Sequence, residues 1–362
     1  MNRFSASLLC ALCFVASGCE VPSVVGGGRA PVELVRCDDP EALAAWRAAR
    51  TALQRGDDRA ALPLLKSAVA RCPDLVRAHC AYQDAAGRLG GPAASEMAAF
   101  YADFSGGSAP LPSYLLARLA ETAYAQANEL SRILSKYPSF AWAHLSMARI
   151  SRGQGRLSES LRRFGDAFRK DSSMAEAQRE RAQVLVELGR NQEAAVDYQA
   201  YLAARPGDVD AARELVALLL YGLDRVDQAM HWISMLEAGG DRSISLRMDR
   251  AAALWRSDRL RAAVEGYLEI LAEAPDNARA ALNVGLLYYE VVPQSEGMRA
   301  SCWPRARAAF QMFMEHSEAT DGHEQFERTW AVPYRLRRID DALGQPSAGA
   351  PKLVDLRWPD GI

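Results

Sequence analysis

The side chains that could carry covalent or metal chemistry in this sequence are its seven cysteines and five histidines, and their spacing narrows what that chemistry can be. Cys10 and Cys13 lie inside an apolar N-terminal stretch that Cys19 closes, while Cys37, Cys72, Cys80 and Cys302 are spread along the rest. Beyond the leader no CxxC pair occurs, and the distance between Cys80 and Cys302 speaks against a shared metal ion. His79, His144, His231, His316 and His323 are scattered. There is no HExxH pair, no Walker-type glycine loop and no GxSxG serine, and Gly26 to Gly28 neither follows a strand nor opens a helix. His316 and His323 flank Glu315, Glu318, Asp321 and Glu324, a set that could hold a divalent ion weakly but is better read as a hydrated acidic turn. No catalytic group, metal site or cofactor is therefore expected.

The leader has a basic start at Arg3, an apolar run from Phe4 to Val15 and the small residues Ala16, Ser17 and Gly18 before Cys19. That is signal-peptide organisation, and the run is too short for a permanent membrane span. Residues 16 to 19 resemble the lipobox of bacterial lipoproteins. The resemblance implies that residues 1–18 are removed, that Cys19 is lipidated and becomes the first mature residue, and that the chain stays anchored. An ordinary secretory signal with Cys19 incidental is the competing reading. Glu20 stands where the family's inner-membrane retention signal has Asp, which implies, in a cell with two membranes, an outer-membrane lipoprotein facing the periplasm. From Val21 to Val35 the chain is rich in Pro, Gly and Val, so residues 19–36 read as a flexible tether.

Beyond the tether, apolar residues recur at helical spacing, punctuated by Gly and Pro about every 34 residues. Gly155 and Gly189 are 34 apart, as are Phe164 and Tyr198, with Ala167, Ala194 and Pro206 keeping the register. Gly56, Ala61, Leu65, Ala68 and Pro73 show the same offsets earlier, and Ala263, Tyr267, Pro275, Gly285, Tyr288, Ala306, Phe310 and Phe313 show them later. Each type answers a local demand: Gly turns the chain or lets helices approach, a small residue sits under the packing contact, an aromatic fills the gap between hairpins, and Pro ends the second helix. These residues resemble the tetratricopeptide repeat family, which implies an all-α superhelix of helical hairpins, an α-solenoid.

The organisation expected from that resemblance is a pair of N-terminal hairpins over 37–106, a main array over 107–317 and a capping helix with an extended tail over 318–362. The units run 42–75, 76–106, 107–140, 141–174, 175–208, 209–243, 244–277 and 278–317. An insertion at 290–303 reads as a lengthened turn, with Pro304 opening the helix after it. The family's Trp at the start of the first helix is missing from every unit, and Pro63 falls inside a predicted helix.

In an antiparallel hairpin over the first unit, Cys37 and Cys72 lie at ends that meet; their disulfide is expected, with Cys72 to Cys80 as the competing pair. The formal charge of −2 offers no basic field for nucleic acid. Carrying the family's groove positions onto this chain gives Trp142, Leu145, Arg149, Arg152, Arg179, Gln183, Arg213, Tyr221, Met248, Trp255, Arg256 and Tyr289. Arginine with aromatics suits a protein or peptide segment bearing carboxylates. The expected function is thus a non-enzymatic, lipid-anchored interaction scaffold whose partner is an envelope protein. The alternatives are a cell-wall enzyme accessory and a saccharide-binding protein, the latter favoured by Trp142, Trp255 and Tyr289.

Overall fold

Helix follows helix from the first described residues onward, each pair antiparallel and each turn short. The computed structural model describes residues 37–292, 296–318, 321–343 and 356–359; the leader, Cys19 and the tether lie outside them. The hairpins are α1 (Pro40–Gln54) with α2 (Asp58–Arg71), α3 (Val76–Leu89) with α4 (Gly91–Ala102), and α5 (Leu111–Arg118) with α6 (Ala123–Lys136). Then follow α7 (Ala141–Gly153) with α8 (Leu157–Lys170), α9 (Ala175–Glu187) with α10 (Asn191–Ala204), and α11 (Val209–Ala217) with α12 (Val226–Ala238). The last are α13 (Ile244–Arg256) with α14 (Leu260–Glu273), and α15 (Ala278–Leu286) with α16 (Glu296–His316). A final helix comprises α17 (Gly322–Phe326), a π turn over Glu327–Ala331 and α18 (Val332–Leu343). No strand occurs among the described residues.

Short side chains set these boundaries. Asp39, Asp57, Thr122, Asp208, Ser243, Asn277 and Asp321 each accept a backbone N–H in the first turn of the helix they precede. In several hairpins the chain passes through the left-handed region between the two helices. Gly155 (φ 72°), Gly189 (φ 71°), Asp224 (φ 53°) and Asp258 (φ 58°) occupy that point in four successive hairpins, Asp being one of the few other residues that tolerate it. The step from Gly189 to Asp224 is 35 residues instead of 34. The extra residue is absorbed by a π turn, Leu218–Gly222, at the end of α11.

The core is a string of apolar clusters rather than one centre, joined through shared side chains such as Trp142, Leu161 and Met230. At one position of the second helix, Ser160, Ala194, Ala229, Ala263 and Ala306 are all fully buried, because the first helix lies too close for anything larger. Phe164, Tyr267 and Phe310 fill the spaces between hairpins and are fully buried; for a Phe, burial contributes about 1.5–3 kcal/mol. Gly285 shows the tightest approach: a Cβ there would sit 2.5 Å from the Phe310 ring.

Two features differ from the sequence expectation. Most of the 290–303 insertion is helix, since the first helix continues through a π turn to Val291 and α16 begins at Glu296. Pro304 therefore lies inside α16 instead of opening it, and the Arg305 guanidinium donates to the Ser301 carbonyl in the same turn, 2.6 Å away. Pro63 likewise lies within α2, at the cost of one ladder hydrogen bond. Among the described residues no helix is long and apolar enough to cross a membrane.

Two glycines give separable tests. Nothing lies within 4 Å of a Cβ placed on Gly155, so Gly155→Ala carries only the left-handed backbone cost, about 1 kcal/mol. Gly285→Ala drives a methyl into Phe310 and costs about 1–3 kcal/mol. In urea titrations Phe310→Leu should recover part of the second loss and none of the first.

Candidate partner-binding face

The first helices of successive hairpins meet along one face, and polar side chains join them rung by rung. Arg118 of α5 donates to Gln83 (2.8 Å) and Asp84 (2.6 Å) of α3. Tyr114 of the same helix hydrogen-bonds Ser146 of α7 at 3.0 Å. Arg149 donates to both carboxylate oxygens of Glu180 (2.8 and 3.1 Å), and Arg152 reaches Glu187 (2.8 Å) and Gln183 (2.9 Å). Arg179 reaches Glu214 (2.7 Å) and Asp208 (3.1 Å), while Gln183 donates to Glu214. Arg213 donates to Asp241 (2.8 Å) and Ser243 (3.1 Å). The Tyr221 hydroxyl donates to Asp249 (2.9 Å), and Arg256 spans back to the Leu220 carbonyl (3.0 Å) and Asp224 (2.7 Å), 5.7 Å above the Tyr221 ring.

Burial opposes charge on Arg149 and Arg179, yet the hydrogen bonds and charges of Glu180 and Glu214 hold both guanidiniums above their ordinary pKa. Burial pushes Glu214 up and Arg179 pulls it down, leaving its carboxyl below the usual range. Asp249 goes the other way: burial raises its pKa and only the Tyr221 hydroxyl opposes.

The groove positions taken from sequence thus lie along successive first helices, but the role given to the arginines changes. Arg149, Arg152, Arg179, Arg213 and Arg256 each already hold a carboxylate of this chain, so they tie repeat to repeat instead of waiting for a partner's acids. Leu145 is buried, and Met248 and Trp255 are half-buried. Tyr289 stacks on Trp303 with ring centroids 5.4 Å apart. Tyr221 is 55% exposed. Trp142 lies under a residue that sequence reasoning missed: Arg77 of α3, 5.8 Å above its ring, donates to Glu176 (3.2 Å) and the Ser173 carbonyl (3.0 Å). That contact spans 99 residues, so no repeat-based search finds it. The acids of the ladder were findable, lying one repeat ahead at separations such as 31 and 35.

The remaining candidates are structural in geometry. Cys37 and Cys72 are disulfide-bonded with Cα atoms 5.8 Å apart, holding the ends of the first hairpin together. Cys80 and Cys302 are buried free thiols, both pushed up by burial and so poor nucleophiles. His79 and His144 each donate from Nε2 to a proline carbonyl six residues earlier, Pro73 and Pro138, at 3.0 Å. Burial pushes His79 down to about 4, so it is neutral and its Nδ1 accepts from the Tyr101 hydroxyl. Among the described residues no three His, Cys, Asp or Glu side chains gather around a common point as metal ligands would.

The chain folds as a tetratricopeptide-type solenoid. Several solved structures are similar to it at low identity. A tetratricopeptide repeat protein from Parabacteroides merdae is 16% identical and covers 88% of this chain and 99% of its own, with a TM-score of 0.43. YrrB, described as a tetratricopeptide protein with an unusual peptide-binding site, is 16% identical over 59% of this chain and 99% of its own, TM-score 0.45. MamA from Desulfovibrio magneticus is 18% identical over 50% of this chain and 97% of its own, TM-score 0.43. No protein-family model and no curated protein matches the sequence.

The ladder makes two measurable statements. Arg179→Ala leaves Glu214 and Asp208 without their cation and should lower unfolding free energy by roughly 1 kcal/mol. Glu214 and Asp241 have folded-state pKa values below the ordinary 4.5 and 3.8. Their stabilisation is therefore complete above those values and is lost as pH falls through the depressed ones. Thermal midpoints should drop on acidification below about 4.5, and Arg179→Ala should flatten that slope. An unchanged slope would remove the pair from the account.

Proposed function

We propose that this chain is a non-enzymatic scaffold, anchored to the bacterial envelope through lipid on Cys19, that binds a segment of another envelope protein along the face of its first helices. The observation that carries the reading is what the ladder leaves over. With the arginines held by internal carboxylates, the face keeps Tyr221 exposed and Trp142, Trp255 and Tyr289 half-buried, aromatic bodies that lose little entropy on binding. Arg256 beside Tyr221 adds a cation close to neutral ring surface. Such a strip suits an extended or helical segment with apolar anchors better than a strongly acidic one. The lipobox resemblance at residues 16 to 19 supports the anchor, and Glu20 in place of Asp supports outer-membrane placement in a cell with two membranes.

Two experiments test the two halves. Crosslinked pull-down from native membranes should recover one envelope protein with the wild type and lose it with folded Tyr221→Ala/Trp255→Ala; equal recovery removes the groove from the reading. Cys19→Ala should move the protein from the membrane to the soluble envelope fraction and abolish labelling by an alkyne-tagged palmitate. Retention of label in that variant defeats the anchor assignment.

A further inference from the structure

Along the described first helices and the π turns that continue α11 and α15, every carboxylate but one is paired with an arginine. Glu180, Glu187 and Glu214 belong to the ladder. The acids outside it, from Glu41 on α1 to Glu290 beyond α15, are paired as well. The exception is Asp249 of α13. At its rung the preceding helix supplies a hydroxyl where the other rungs supply a guanidinium: Tyr221 donates to Oδ1 at 2.9 Å. A neutral donor satisfies one oxygen and leaves the unit charge uncompensated. Oδ2 holds no hydrogen bond and stays open to water.

No arginine of the surrounding first helices is left to supply the missing cation. Arg213 of α11 is held by Asp241, Arg247, Arg250 and Arg256 of α13 by Glu273, Glu237 and Asp224, and Arg279 of α15 by Asp321. Asp249 is half-buried, and burial raises its pKa with only the Tyr221 hydroxyl opposing. A partly desolvated anion without a counter-ion is a cost to the fold that an incoming cation would offset.

We propose that Asp249 is the recognition point for a lysine side chain of the partner segment, an inference that rests on the groove reading above and specifies its chemistry. An ammonium is a compact point charge that one open oxygen can hold, whereas the arginine fork is matched to both carboxylate oxygens, of which Tyr221 already occupies one. The exposed Tyr221 ring offers apolar surface to the methylene stem of the lysine. Arg256 already lies over that ring, so the ring supplies contact and the carboxylate supplies the charge. The fitting segment therefore carries a lysine beside apolar anchors, the reverse of a carboxylate-bearing one.

The test selects binders from a phage-displayed library of random short peptides on the chain from residue 19 onward with Cys19→Ser. Peptides whose binding is lost with folded Tyr221→Ala/Trp255→Ala are groove binders, and these should share a lysine. In fluorescence anisotropy, replacing that lysine by glutamine should weaken binding about tenfold. Asp249→Asn should weaken the lysine peptide equally and the glutamine peptide no further. Asp249→Lys should prefer the peptide with glutamate at that position. In urea titration Asp249→Asn should hold its midpoint, since it removes a charge the fold leaves unpaired. Groove binders without a shared lysine, or with a lysine dependence that survives Asp249→Asn, overturn this assignment and spare the groove reading. A loss of stability in Asp249→Asn as large as that of Arg179→Ala marks the residue as one more tie between repeats and also overturns it. Failure to select any peptide that depends on Tyr221 and Trp255 defeats the groove reading itself, and this inference with it.

Discussion

A two-helix hairpin cannot bury its own apolar face, and every other feature of this molecule follows from that constraint. Each unit here offers its neighbour one flank of two helices, and the core propagates as a string of clusters joined by side chains such as Leu161 and Met230. Stability is then a sum over interfaces, so what matters at each interface is how closely and in what register two hairpins meet. The fully buried small residues Ser160, Ala194, Ala229, Ala263 and Ala306 set the distance. The ladder of first-helix polar pairs sets the register, because a guanidinium bonded to two carboxylate oxygens tolerates little sliding. Where a unit gains a residue, as between Gly189 and Asp224, the π turn at Leu218–Gly222 takes it up without moving the contact.

How much of this was legible in the sequence depended on whether a residue answered to its own backbone or to a distant partner. Gly155, Gly189, Tyr198 and Phe310 betray the hairpin repeat because a left-handed turn or a gap of fixed size admits few alternatives. The start of α16 was hidden by Pro304, whose usual place is the first turn of a helix and which here sits well inside one. The face of the first helices was legible as a place, while the partners of its arginines within the chain were not. Arginine beside aromatics has the composition of a binding surface, and the same arginines read as ties only once Glu180, Glu187 and Glu214 are seen one repeat ahead. Arg77 could not have been found in this way, since it crosses from α3 to the turn before α9 and closes over Trp142.

That reassignment moves recognition to other parts of the molecule. An arginine whose charge is satisfied internally gains little from a partner's carboxylate, because an existing ion pair must be broken to make the new one and both states are partly solvated. Apolar ring surface has no such competing partner. The places able to contribute net binding free energy are therefore those where aromatic area stays exposed: Tyr221 beside Arg256 midway along the array, and Phe326, Trp330 and Tyr334 at its end. They lie on different helices. A solenoid that spends its charges on holding its own repeats in register leaves specificity to the few rings it does not bury.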